Sequence, residues 1–111
     1  CETDDPLYQE TRKFLLSPEN PYYFQGKYAA GIGSPHTPDG YVWHIGLIVQ
    51  GLTASNDAEK SAILEVLINT NAGTGHMHEG FDPDDPEHYT RPWFAWADSM
   101  FCLLVEDYYH L

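Results

Sequence analysis

Four helix-like stretches of alternating character constrain this chain most. Residues 4–17 open with Asp4, Asp5 and Pro6, a capping carboxylate before an early helical proline, and then place Leu7, Tyr8, Thr11, Phe14 and Leu15 on one face. Residues 41–53, YVWHIGLIVQGLT, are apolar nearly all round, with His44 and Gln50 the only strongly polar side chains. A strand pair is compatible with their β-branched content, but their length and the Pro38–Asp39 start favour a buried helix. Residues 55–70 are expected to form a helix capped by Ser55, with Asp57, Ser61, Glu65 and Asn69 along an exposed stripe. The stretch from about Arg91 to Tyr108 is again apolar in every direction. The order is outer, inner, outer, inner.

Two long connections separate these stretches. Residues 17–40 carry four Pro and four Gly, with no sustained period, and read as a long ordered loop; 71–89 form the second. In a string of antiparallel neighbours, every outer-to-inner connection falls at one end, so both long loops are expected together over the starts of the inner helices. The predicted fold class is all-α: two helical hairpins from a ring of such hairpins. Two hairpins cannot close a ring, so the chain is expected to be a fragment of a larger domain whose inner helices lack neighbours here.

A formal charge of -12, with Arg12, Lys13, Lys27, Lys60 and Arg91 the only lysines and arginines, sets the surface against nucleic acid and anionic membranes. No apolar run approaches the roughly 20 residues of a spanning helix. Cys1 and Cys102 are too few and too differently placed for a disulfide framework or a thiolate metal site. The compartment and oligomeric state stay open.

The chemistry concentrates between Thr74 and Trp96, TGHMHEGFDPDDPEHYTRPWFAW. His36, His44, His76, His78 and His88 lie in or beside the long loops, yet there is no HExxH and no i, i+4 ligand pair, so no metal is expected. His44 reads as a satisfied structural histidine. The GIGS run at Gly31–Ser34 lacks a phosphate loop's third glycine, and DPDD at Asp82–Asp85 lacks the Gly and distal Glu of a calcium hand. What remains is Glu79 with His36, His78, Arg91, Trp93 and Trp96. Carboxylates and imidazoles that bond hydroxyls, beside aromatic faces, suit a carbohydrate, although Trp96 reads first as core. Glycoside hydrolysis takes two carboxyls, and only Glu79 presents itself.

The segments GKYAAGIGSPHTPDGYVWHIGLIVQGLT, NTNAGTGHMHEGF and DDPEHYTRPWFAWADSMF resemble the C-terminal part of glycoside hydrolase family 125, and the likeness runs over nearly the whole chain. The resemblance implies a metal-independent, cofactor-free, inverting exo-α-1,6-mannosidase with an (α/α)6 toroid, of which residues 1–111 would be the C-terminal fragment of one catalytic domain. It places the general base on Glu79 and the general acid upstream of this chain. It implies that His36, Thr37, His78, Arg91 and Trp93 bind a terminal mannose of an α-mannoside glycan. The isolated fragment is expected to be inactive. Asp98 departs from the family pattern, which leads one to expect Asn. The competing readings are a carbohydrate-binding module and a toroid glycosidase of glucosidase type.

Overall fold

The computed structural model describes residues 5–110; Cys1 and the capping candidate Asp4 lie outside the described residues. Its elements are α1 (Pro6–Leu15), β1 (Tyr23–Gln25), β2 (Ala30–Ile32), β3 (Val42–Trp43), α2 (His44–Leu52), α3 (Asp57–Asn69), β4 (Gly80–Asp82), β5 (Asp85–Thr90) and α4 (Ala95–Tyr109). The all-α expectation is therefore wrong. The first connection expected as a loop contains β1 paired with β2, and the second contains β4 and β5, which form a sheet in the order β3-β4-β5 with β3 from the head of the 41–53 stretch expected to be wholly helical. The physical reason is length, composition and range. Strands β1 to β4, of two or three residues, carry no readable period; β5, six residues long, is DPEHYT, with a proline and no apolar alternation; and Val42 pairs with Phe81, a partner no local pattern can announce.

Sequence chemistry accounts for the helix limits. Asp5 accepts the Leu7 amide at 2.8 Å and Pro6 opens α1, where its missing N–H costs nothing. Asn56, not Ser55, caps α3 by accepting the Glu59 amide at 2.8 Å. Helix α4 starts at Ala95 rather than near Arg91, because Thr90 ends a strand and Arg91 takes a left-handed backbone, φ 53°.

The two long connections are tied to each other. The Tyr28 amide donates to the Pro83 carbonyl and the Lys27 amide to Oδ1 of Asp84, both at 2.8 Å, while β3 pairs with β4. Because β3 runs straight into α2, this junction sits over the start of α2.

Helix α2 packs against both α3 and α4 around Leu47, Ile48, Ile63, Leu64, Leu67 and Leu104. Gly51 allows the close approach, since a Cβ there would come within 3.0 Å of the Leu104 methyls. Phe81 from β4 reaches the same core fully buried, and its ring lies 4.6 Å from that of His44. Burying such a side chain stabilises the fold by about 1.5–3 kcal/mol.

Other apolar faces find no cover among the described residues. Leu7 is 76% exposed and Leu103 51%, and an open groove of about 610 Å³ between α1 and α2 is lined by Leu7, Leu15, Ile32, Trp43, Ile45 and Val49. Helix α1 is held instead by polar anchors. The Tyr8 hydroxyl donates to the Thr53 carbonyl, and Arg12 pairs with Glu59.

Candidate active site

Glu79 stands on a turn whose four consecutive amides are all engaged. The Met77 amide donates to Oδ1 of Asp98 at 2.6 Å and the His78 amide to Nδ1 of His44 at 2.7 Å. The Glu79 amide donates to the Thr90 carbonyl at 3.3 Å and the Gly80 amide to the Thr90 hydroxyl at 3.0 Å. An irregular turn over a core exposes its backbone donors to desolvation, so each needs an acceptor. Here the acceptors come from α4, α2 and β5.

His44, the first residue of α2, is fully buried. Its Nδ1 accepts an amide hydrogen, so its proton sits on Nε2, which donates to Oγ1 of Thr70 at 3.0 Å. Thr70 in turn donates to the Val66 carbonyl at 2.8 Å. Burial, reinforced by His78 alongside, pushes the His44 pKa down to about 3, so the ring stays neutral and keeps its acceptor lone pair.

His78 is equally buried and stacks on Tyr89 with centroids 3.9 Å apart. Its Nδ1 lies 2.9 Å from the Arg91 carbonyl, to which it can only donate. Its Nε2 faces the Asn71 carbonyl at 3.2 Å and the Thr74 hydroxyl at 3.4 Å. Both ring nitrogens are thus occupied by protein atoms.

The carboxylate itself is half-buried. Oε2 of Glu79 lies 3.2 Å from Nε of Arg91, and Oε1 is 3.5 Å from the Thr90 hydroxyl. The left-handed backbone at Arg91 turns its carbonyl to His78 and its guanidinium to Glu79, while the same guanidinium sits 5.3 Å from the Phe94 ring centre. Non-glycine residues pay roughly 1–2 kcal/mol for that conformation.

The remaining candidates are distributed around this centre. Thr37 is buried, donates to the Ser34 carbonyl at 3.1 Å and packs against Gly80, where a Cβ would meet its methyl at 3.0 Å. That contact joins the SPHT turn to the turn bearing Glu79. His36 is exposed, with its amide on the Ser34 hydroxyl at 3.1 Å. Trp93 is 74% exposed and its ring centre is 6.4 Å from that of His76. Trp96, read from sequence as core, is 61% exposed in this chain and touches Phe94 edge-on.

Three contributors were not singled out by sequence reasoning: Thr70, Thr90 and the grip of His44. Asp98 did stand out as an oddity, and its use is now visible. Oδ1 holds the Met77 amide while Oδ2 lies 3.0 Å from Nδ1 of His76. An Asn could accept the amide but would lose the charge that faces His76. Among the described residues, no group of three or more His, Cys, Asp or Glu side chains is placed to hold a metal ion.

The family described as metal-independent α-mannosidase (GH125) matches residues 1–106. The Meiotically up-regulated gene 157 protein of Schizosaccharomyces pombe is 50% identical over 107 residues, which is 96% of this chain and 21% of that protein. A Streptococcus pneumoniae structure, described among metal-independent α-mannosidases as a non-productive substrate complex with α-1,6-mannobiose, is 52% identical with a TM-score of 0.98. It is matched over 100% of this chain and 26% of its own, so residues 1–111 span only about a quarter of that relative. With a family match over nearly its full length, the chain belongs to the metal-independent α-mannosidases of glycoside hydrolase family 125.

Proposed function

We propose that this chain is the C-terminal portion of a single glycosidase catalytic domain, and that the full-length enzyme releases terminal α-1,6-linked mannose from the non-reducing end with inversion. The observation that carries this reading is the placement of Glu79. It is a half-buried carboxylate on a turn with every amide engaged, beside Arg91, in a chain of α-mannosidase family sequence. The α-1,6-mannobiose in the Streptococcus pneumoniae relative supports the linkage.

In this reading Glu79 is the general base. It takes a proton from water as that water attacks the anomeric carbon, and an acid from outside residues 1–111 protonates the leaving oxygen. Inversion needs the two carboxyls about 6.5–9.5 Å apart to admit the water. Arg91 orients the carboxylate, while His36, Arg91 and Trp93 contact the terminal mannose and Thr37, buried with its hydroxyl on the Ser34 carbonyl, supports the SPHT turn against Gly80. His78, with both nitrogens engaged, acts from beneath by fixing the Arg91 carbonyl rather than by meeting the sugar. The isolated 111 residues would release no mannose, lacking the acid.

The test is a panel of mannose and glucose disaccharides offered to the full-length enzyme, with the anomer of the released sugar followed by NMR. Release of β-mannose from α-1,6-mannobiose is expected. Release of α-mannose would overturn inversion, and release of glucose alone would overturn the substrate. Glu79→Gln should lower kcat by about 10² to 10⁴ while leaving KM much less affected.

A further inference from the structure

The turn that presents Glu79 is bolted to two different helices through consecutive amides. Asp98, in the first turn of α4, takes the Met77 amide, and His44, the first residue of α2, takes that of His78. We infer that His44 and Asp98 are positioning residues for catalysis, which hold the backbone immediately before Glu79 so that its carboxylate meets the attacking water in a fixed place. This rests on Glu79 being the general base.

A purely structural need would be met by any acceptor for a buried amide. The arrangement found is stiffer than that. The His44 ring is held at Nε2 by Thr70, which is itself bonded to α3, and one of its faces lies against Phe81. Its Nδ1 lone pair therefore points in one direction only. Asp98 uses one oxygen on the Met77 amide and the other on His76, which leans toward Trp93. The amides of the two residues before Glu79 are thus referred to α2, α3 and α4 together, and those of Glu79 and Gly80 to Thr90. General-base catalysis is sensitive to such placement, since an error of about 1 Å in a reacting group can cost on the order of 10²-fold in rate.

The experiment uses the full-length enzyme and α-1,6-mannobiose. Asp98→Ala removes both contacts, whereas Asp98→Asn keeps an acceptor for the Met77 amide. His44→Gln removes the acceptor at Nδ1, whereas His44→Asn can place an amide oxygen there. The expected result is a kcat lower by about 10- to 100-fold in Asp98→Ala and His44→Gln, with KM within a few-fold of wild type, and substantial recovery in Asp98→Asn and His44→Asn.

Each is also combined with Glu79→Gln. Positioning residues that act through Glu79 lose their effect once its carboxylate is gone, so the double variants should turn over no more slowly than Glu79→Gln alone. Wild-type kcat in Asp98→Ala, or losses that multiply in the double variants, would overturn the inference while leaving the base assignment intact. Near-normal turnover in Glu79→Gln alone would remove the base assignment and this inference with it. Asp98 lies at the solvent edge, so its variants decide the matter if a His44 variant fails to fold.

Discussion

Nε of Arg91 lies 3.2 Å from Oε2 of Glu79, and the guanidinium that makes this contact is anchored over the Phe94 ring. The pair is largely open on the arginine side, so its value is in aim rather than in stability. Arg91→Lys keeps a positive charge but neither the planar fork nor the ring contact, and Arg91→Met removes both charge and donor. In the full-length enzyme we expect kcat to fall about tenfold for Lys and nearer a hundredfold for Met. Initial rates on α-1,6-mannobiose measure this, and equal activity of the two variants would show that the charge kept by lysine contributes nothing, which would overturn the predicted order.

The backbone of Arg91 yields a separate prediction. Its φ of 53° belongs to glycine by preference, so removing the side chain should affect stability differently according to the replacement. Arg91→Ala keeps the strain and loses the contacts; Arg91→Gly loses the contacts and relieves the strain. The glycine variant should be the more stable of the two by about 1 kcal/mol, visible as a higher midpoint of thermal unfolding. The reverse order would mean that the left-handed geometry costs nothing here.

What was legible in the sequence, and what was not, follows from range. Helices α1 and α3 announce themselves through spacing that repeats within a few residues, although the cap of α3 falls on Asn56, one residue after the Ser55 expected. Glu79 and Arg91 are twelve positions apart on either side of a Pro/Asp turn, close enough for their chemistry to be read together. The β3–β4 pairing escaped because it reaches across the whole of α2 and α3, and the local hairpins β1–β2 and β4–β5 escaped because they lack alternating apolar residues. His44 looked like a satisfied core histidine, and it is satisfied. That its acceptor serves the residue before Glu79, 34 positions on, depends on how α2 meets the second long connection. Trp96, read first as core, is exposed in this chain for a different reason: apolar character reports a need for burial, not whether this stretch of chain contains the partner that supplies it.

Thr70 ends α3 fully buried and accepts the Nε2 proton of His44 while donating to the Val66 carbonyl. Thr70→Val keeps the shape and removes both functions of the hydroxyl. It leaves a buried imidazole N–H without an acceptor, which costs about 1–3 kcal/mol. Thr70→Ser should recover most of that, since the hydroxyl returns and only a methyl is lost. Chemical denaturation of the full-length enzyme compares the two, and a valine variant as stable as wild type would show that the Nε2 proton finds another acceptor.

The pH dependence of stability carries the signature of His44. Its folded pKa is pushed from the ordinary 6.5 down to about 3, so folded and unfolded chains are both neutral at this residue above pH 7. Below 6.5 the unfolded chain takes up a proton that the folded chain refuses, because His44 is buried beside His78 and its Nδ1 is already filled by an amide; Asp98 opposes this only in part. Stability is therefore full at neutral pH and falls with acidification, by up to about 1.4 kcal/mol per pH unit from this residue alone, until about pH 3. His44→Asn cannot titrate, so its unfolding midpoint should decline less steeply than that of wild type between pH 6 and pH 4. Parallel declines in the two proteins would show that His44 is protonated in the folded state at mildly acidic pH, and that the His78 amide is then held some other way.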